Sequence, residues 1–160
     1  MNYGIYLYRR TADGYAAADQ FSETDLRAVE EVLRRWGWDG VEVHPAPDLR
    51  TPGGERVEVR GDLAAGRFCG LYLNVWNLDL EICQLALEIA QAGRFTIIHD
   101  GDDQTPILID EAQRENLPAE WTTNPAVVVV TTPQELEDAL GKGFGQWIGW
   151  KASLKPYRET

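Results

Sequence analysis

Apolar residues in this chain follow two periodicities, and the order in which the two alternate limits the folds available to it. Strand-like runs occur at 3–8, 41–43, 55–61, 67–77, 95–99, 106–110 and 125–130, and helical spacing at 23–36, 78–93 and from 133 onward. Strand-like runs that follow one another without a helix between them must pair antiparallel. We therefore predict one α+β (mixed α/β) domain over residues 1–160. It should contain a single mixed, largely antiparallel sheet with about three helices packed on it.

Helix-start signals support these three helices. Ser22 with Asp25 forms the pattern of a capping box at the first helix. Asn77 is the predicted cap of the second. Thr132 followed by Pro133 and Glu135 predicts the start of the third. The run PAVVVV at 125–130 is continuous rather than alternating, which is typical of a strand covered on both faces.

Charge excludes some classes of partner. The chain of 160 residues holds 26 acidic and 15 basic residues, a formal net charge of −11, which repels nucleic acid and anionic lipid. Residues 95–140 hold ten of the acids and one base, Arg114. A basic protein partner is favoured, and we expect neither direct nucleic-acid binding nor membrane association. The longest aliphatic run, AVVVV, is too short to span a bilayer, so cytoplasmic residence is the expectation.

Residue types that perform catalysis are scarce. The two serines, Ser22 and Ser153, are assigned to a helix cap and the tail, and the three lysines all follow residue 141, where no phosphate-binding loop is present. Cys69 and Cys83 match no CxxC or zinc spacing, and we expect both to be free, buried thiols. No catalytic residue or cofactor is therefore assigned, and a non-enzymatic function is predicted.

The stretch FTIIHDGDDQTPILID at 95–110 places three aspartates and a histidine between two apolar runs. Counting from Asp100, residues 102, 104 and 111 fall on positions three, five and twelve of an EF-hand loop. Thr105, however, occupies the position where that loop needs glycine, and strand-like segments flank the loop where helices are required. Asp-Gly turn chemistry predicts instead that DGDDQT connects a β-hairpin.

An alternative hypothesis gives the same stretch a chemical role. His44 and His99 each end a strand-like run, and with Asp100 they would form a two-histidine, one-carboxylate metal site if the strands were neighbours. Acid–base chemistry by His99 with Asp100 or Asp102 is the related enzymatic possibility. The alternative function is thus a small metal-dependent enzyme or ligand-binding protein using His99, Asp100 and Asp102.

Binding is the leading interpretation, because six tryptophans and the acid-rich region supply interface anchors and steering charge. The predicted partner-binding residues are Asp100, Asp102, Asp103, Asp110, Glu111, Glu115 and Trp121. An acidic mimic of DNA is a third possibility.

In size, acidity and mixed α/β pattern the chain resembles bacterial polymorphic-toxin immunity proteins. The segment PILIDEAQRENLPAEW, followed by the VVVV run and TPQELEDAL, is the part that most resembles them. The resemblance implies a cytosolic inhibitor whose acidic face occupies the basic site of a toxin domain. No site residue is assigned from it.

Overall fold

The computed structural model describes residues 2–11, 13–40, 47–63, 67–100 and 105–141. The strands are β1 (Tyr3–Tyr8), β2 (Arg10–Thr11), β3 (Gly14–Tyr15), β4 (Leu49–Arg50), β5 (Arg56–Arg60), β6 (Leu71–Val75), β7 (Thr96–His99), β8 (Ile107–Leu108) and β9 (Val128–Val129). The helices are α1 (Glu23–Arg35), α2 (Leu80–Gly93) and α3 (Ala119–Thr122), and residues 133–141 are also helical. Single 3₁₀ helices span Ala18–Gln20 and Glu111–Asn116.

Seven of these strands form one mixed sheet in the order β4-β5-β6-β1-β7-β8-β9. All neighbours in it run antiparallel except β8 and β9, which are parallel, and β2 and β3 form a separate two-stranded ribbon. The predicted α+β class with a largely antiparallel mixed sheet is confirmed. The predicted number of helices was too low, because the short helical segments Ala18–Gln20, Glu111–Asn116 and Ala119–Thr122 add to the three long helices.

The ends of the long helices follow local chemistry. At α1, the Asp25 N–H donates to Ser22 Oγ and the Ser22 N–H donates to Asp25 Oδ2, so the predicted capping box is confirmed. At residues 133–141, the Glu135 N–H donates to Thr132 Oγ1, as expected. The cap of α2 is Asp79 rather than Asn77, because the Asp79 carboxylate accepts the Ile82 N–H at 2.9 Å. Asp79 stands three residues before that N–H, the spacing that capping requires.

The core lies between one face of the sheet and α1 with α2. Leu26, Val29 and Leu33 of α1 and Ile82, Leu85 and Ile89 of α2 are buried there. They pack on the sheet residues that alternate inward, which include Ile5, Leu7, Leu71, Leu73, Val57 and Ile97. Each fully buried aliphatic side chain contributes roughly 1.5–3 kcal/mol of transfer free energy. This burial fixes which face of β1 and β6 is turned away from the helices.

The strands on either side of the DGDDQT segment are shorter than the apolar runs from which they were predicted. β7 and β8 pair antiparallel with Ile97 opposite Ile107, which confirms the pairing expected of a hairpin. The turn itself, 101–104, and the expected strand at 41–43 lie outside the described residues. The VVVV run was wrongly assigned to a strand covered on both faces. Only Val128–Val129 form β9, which is the last strand in the sheet order, and Val128 is 40 % exposed.

None of the helices in the described ranges has the length and apolarity needed to cross a membrane.

Candidate functional site on the outer face of the sheet

The sheet face turned away from α1 and α2, called here the outer face, is rich in tyrosine. Side chains alternate along a strand, so Tyr3, Ile5 and Leu7 of β1 enter the core while Tyr6 and Tyr8 lie on the other side. The registers place Tyr72 and Ile98 directly beside Tyr6 on either side. Tyr6, Tyr8, Tyr72 and Ile98 are half-buried, so this face is apolar without being sealed.

Four tyrosines form a continuous row of ring contacts. Ring centroids lie 4.5 Å apart for Tyr72 and Tyr6, 6.0 Å for Tyr6 and Tyr8, and 5.6 Å for Tyr8 and Tyr15. These separations fall within the range at which aromatic pairs attract one another. Mutual contact restricts each ring, so a ligand or partner that docks on the row has little rotamer freedom left to remove.

Two glycines leave room for the rings. A Cβ at Gly4 would lie 2.6 Å from the Tyr72 hydroxyl and 2.5 Å from Asp100 Oδ2. A Cβ at Gly70 would lie 2.4 Å from the Tyr8 ring, and its φ of +151° is a conformation that side-chain-bearing residues avoid. The positions of Tyr72, Tyr8 and Asp100 therefore depend on glycine beneath them.

Asp100 anchors the phenol end of the row. Its Oδ2 accepts the Gly4 N–H at 3.0 Å, and its carboxylate interacts with the Tyr6 phenol. Burial is the main cause that raises the pKa of Tyr6 above the usual value, and the negative charge of Asp100 raises it further. Burial and Asp100 also raise the pKa of Tyr72. Both phenols therefore stay protonated at neutral pH and can donate a hydrogen bond.

A row of polar residues crosses the same face two residues along the strands from Tyr6 and Tyr72. Glu58, Asn74 and Gly4 are aligned by the registers of β5, β6 and β1. Asn74 Nδ2 donates to Glu58 Oε2 at 3.0 Å, and Glu58 is ion-paired with Arg60. Asn74 is 2 % exposed, and its Oδ1 has no hydrogen-bond partner among the described residues. The row adds polar groups beside the tyrosines.

A pocket of about 500 Å³ opens over the end of the tyrosine row. It is called here the tyrosine pocket, and it is lined by Tyr6, Tyr8, Arg10, Tyr15, Ala16, Cys69, Ile98, Pro106 and Trp121. Its volume and its mainly apolar, aromatic walls are typical of small-molecule and side-chain binding pockets. Trp121 comes from α3 and packs on the small apolar cluster of Leu108, Leu117 and Val127. One part of the pocket wall is therefore supplied by the acid-rich region, residues 95–140.

The predicted partner-binding residues separate into groups. Asp100 and Trp121 both belong to the outer face. Asp110 caps the 3₁₀ helix at Glu111–Asn116 through the Ala112 N–H, and Glu111 is ion-paired with Arg114. Asp110, Glu111, Glu115 and Glu120 are all exposed along residues 110–122 and are called here the acidic edge. Asp102 and Asp103 lie outside the described residues.

A second pocket, of about 530 Å³, lies beside the acidic edge and includes Arg9, Arg94 and Asp110 in its lining. Two of its cations are already engaged. Arg9 donates to Gly93 O and pairs with Asp25, and Arg94 also pairs with Asp25. These contacts join the end of α2 to the start of α1, which explains both arginines structurally.

The metal-site alternative gains no support from the geometry around His99. Its ring is buried and stacks on Tyr3, 6.0 Å away on the core side, whereas the Asp100 carboxylate lies on the outer face. Consecutive strand residues point to opposite faces, so these two side chains diverge. His44 and Asp102 lie outside the described residues. Within the described ranges, no group of three or more His, Cys, Asp and Glu side chains could hold a metal ion.

The cysteines are both free, as expected, but they occupy different environments. Cys83 is buried in the core, whereas Cys69 is exposed in the tyrosine pocket, so the expectation of two buried thiols was wrong for Cys69. Cys69 lies just before β6, separated from it by Gly70. Cys69 therefore provides a chemical probe of the pocket.

The tyrosines are the site residues that the sequence reading missed. The signal was present in YGIYLY, where aromatic residues occupy both phases of the alternation rather than only the core phase. A half-buried strand normally places polar residues in the second phase, so aromatic side chains there indicate a contact surface.

Comparison of the chain with protein-family models, with curated proteins and with solved structures found no match.

Proposed function

We propose that this protein is a binding module that holds a basic protein partner, acting as an immunity-type inhibitor that neutralises a toxin domain. The proposal is supported by Trp121, which joins two surfaces. Its indole lines the tyrosine pocket, and its neighbour Glu120 belongs to the acidic edge. Aromatic anchors next to acidic residues are the combination expected of a surface that recognises a basic protein.

The two surfaces would contribute differently. Tyrosine and tryptophan dominate the energetics of protein interfaces because they bury large areas with few rotatable bonds. The tyrosine row is held by its own ring contacts and by Asp100, so it is preorganised for docking. The acidic edge adds four carboxylates against Arg114 within residues 110–122. Charges of this kind accelerate association with a basic partner and discriminate against acidic ones.

Inhibition follows if the partner uses its basic surface to bind an anionic substrate. A chain of net charge −11 that covers this surface would exclude the substrate by occupancy and by repulsion. No chemistry by the inhibitor is required.

The proposal is tested by capture with a matched pair of variants. The tagged chain is incubated with extract of its native cells, and bound proteins are identified by mass spectrometry. Charge reversal at Glu115 and Glu120 is compared with the same charge change at Glu31 and Asp39, which are exposed on and after α1. We expect a basic protein that is retained by the wild type and the Glu31/Asp39 variant and lost from the Glu115/Glu120 variant.

The captured protein is then expressed with and without the inhibitor. Growth arrest by the partner alone, relieved by co-expression, would support the immunity role. Equal recovery of the partner on both charge-reversal variants would reject the acidic edge as its docking surface, and a harmless partner would reject the toxin assignment.

A further inference from the structure

Arg10 is an exception among the arginines in the described part of the chain. Each of the others makes a hydrogen bond, an ion pair or another polar interaction, whereas the Arg10 guanidinium has neither a hydrogen bond nor an ion pair there. Its Nε is buried without a partner. In a chain with 26 acidic residues, an arginine without a carboxylate partner is unexpected, and a buried donor left unpaired costs roughly 1–3 kcal/mol.

The guanidinium is positioned nonetheless. Arg10 Cζ lies 4.7 Å from the centroid of the Tyr15 ring, within the range of a cation–π contact. Among the described residues that line the tyrosine pocket, Arg10 is also the one that carries a charge. A fixed cation at the wall of an aromatic pocket selects a ligand that has an anionic group and an apolar body.

We propose that the tyrosine pocket binds a small planar aromatic carboxylate, whose ring contacts the tyrosines and Trp121 and whose carboxylate accepts hydrogen bonds from Arg10. A guanidinium offers paired donors that match the two oxygens of a carboxylate. This site does not depend on the proposed protein partner, since it is defined by the pocket alone.

Other charge classes fit less well. A cationic ligand would lie against Arg10, and none of the described residues that line the pocket is a carboxylate that could compensate its charge. A phosphate dianion would need several free cations, but the neighbouring Arg9 and Arg94 are engaged by Asp25, and the net charge of −11 opposes a second negative charge. A monoanion with one aromatic system matches Arg10, the one arginine in the described part of the chain whose guanidinium has no hydrogen bond or ion pair.

Three probes of similar size and different charge test the proposal: naphthoate, naphthamide and naphthylmethylammonium. Occupancy is measured as slowing of iodoacetamide alkylation at Cys69, which lines the pocket, by intact-protein mass spectrometry. Cys83 is buried and serves as the internal control for unfolding. We expect naphthoate to protect Cys69 saturably and at least ~10-fold more tightly than either other probe, as a charge-assisted pair predicts.

Variants at Arg10 then test whether the carboxylate of the probe binds to this residue. Arg10→Gln should weaken naphthoate binding by ~10-fold or more and leave naphthamide within ~2-fold. Arg10→Lys keeps the charge but loses the planar guanidinium, so its naphthoate affinity should lie between those of the wild type and Arg10→Gln. Arg60→Gln is the matched control, because Arg60 lies on β5, is not among the pocket-lining residues and is paired with Glu58, and it should change neither affinity.

Equal binding of the three probes, no protection by any of them, or equal effects of Arg10→Gln and Arg60→Gln would overturn the proposal. The probe series needs only the wild-type chain, so it remains decisive if a variant fails to fold. None of these outcomes bears on capture of the protein partner, so the two proposals can fail separately.

Discussion

Asp100 and Gly4 are joined across two strands by a pair of hydrogen bonds. The Gly4 N–H donates to Asp100 Oδ2 at 3.0 Å and the Asp100 N–H donates to Gly4 O at 2.9 Å. The carboxylate lies directly over the position where a side chain at residue 4 would begin. The position of the Asp100 carboxylate therefore requires that residue 4 has no Cβ.

Gly4→Ala should displace Asp100 and Tyr72. A Cβ there would meet both at 2.5–2.6 Å, and overpacking of this kind costs roughly 1–3 kcal/mol in the free energy of unfolding. Gly141→Ala is the control, because nothing lies within 4 Å of a Cβ at that helical position and alanine should stabilise by up to ~1 kcal/mol. Urea denaturation measures both. A Gly4→Ala protein as stable as the wild type would contradict the described packing.

Asp100→Asn should make Tyr6 ionise at lower pH. Burial, then the charge of Asp100, raises the pKa of Tyr6, so removing the charge lowers the pKa partway and leaves the effect of burial. A tyrosine whose pKa is raised in the folded state contributes stability that is fully present below its unfolded pKa of about 10. That stability is lost as the pH rises through the folded pKa. Alkaline titration of phenolate absorbance measures the shift. The exposed Asp138→Asn should leave the curve unchanged, and identical curves for the two variants would reject the contact.

Asp25→Asn should destabilise the protein at neutral pH. Burial raises the pKa of Asp25, but hydrogen bonds from Ser22 and the contact with Arg9 outweigh it and lower the pKa overall. A carboxylate whose pKa is lowered in the folded state contributes stability that is present above its unfolded pKa of about 4. That stability is lost as the pH falls through the folded pKa.

We expect the Asp25→Asn variant to lose about 2 kcal/mol at pH 7, and we expect the difference from wild type to shrink below pH 4. Thermal or urea unfolding across pH measures it. Glu23→Gln, at an exposed pair with Arg27, should change stability by less than ~0.5 kcal/mol throughout. A difference for Asp25→Asn that is independent of pH would show that charge is not its source.

The two thiols should react at very different rates. Burial, then the charges of Glu137 and Asp79, raises the pKa of Cys83 to about 12, whereas Cys69 is exposed. Thiolate is the reactive form, so a disulfide reagent at neutral pH should modify one thiol quickly and the second only after denaturant is added. Cys69→Ser should abolish the fast phase, and a fast phase that survives this change would contradict the burial of Cys83.

The sequence predicted the parts of the fold that local rules determine. The capping box at Ser22 and Asp25 and the helical stripe of α2 depend on residues a few positions apart. The largely antiparallel pairing follows from strands that succeed one another without a helix between them. The shift of the α2 cap from Asn77 to Asp79 is an element boundary that periodicity does not specify, and the short β9 depends on where tertiary contacts end the strand.

The site was predicted less well, for a physical reason. Asp100 and Trp121, which the sequence predicted to be partner-binding residues, both contribute to the outer face and its pocket. Clustered charge in sequence does not specify which side chains converge. Tyr6 and Tyr72 are brought together by the register of two strands more than sixty residues apart, and only the structure shows that register. The contact between the Tyr6 and Tyr72 rings makes both residues part of one aromatic surface.

The affinity of the captured and purified partner for two tryptophan variants tests the central claim most directly. Trp121 lines the tyrosine pocket, whereas Trp36 is partly buried beside α1, where its indole donates to Glu88 Oε2 at 2.7 Å. By calorimetry, Trp121→Ala should weaken binding by ~30-fold or more, the loss expected of an interface anchor, and Trp36→Ala should change it by less than ~2-fold. Equal dissociation constants for the two variants would contradict the assignment of the outer face as the binding surface.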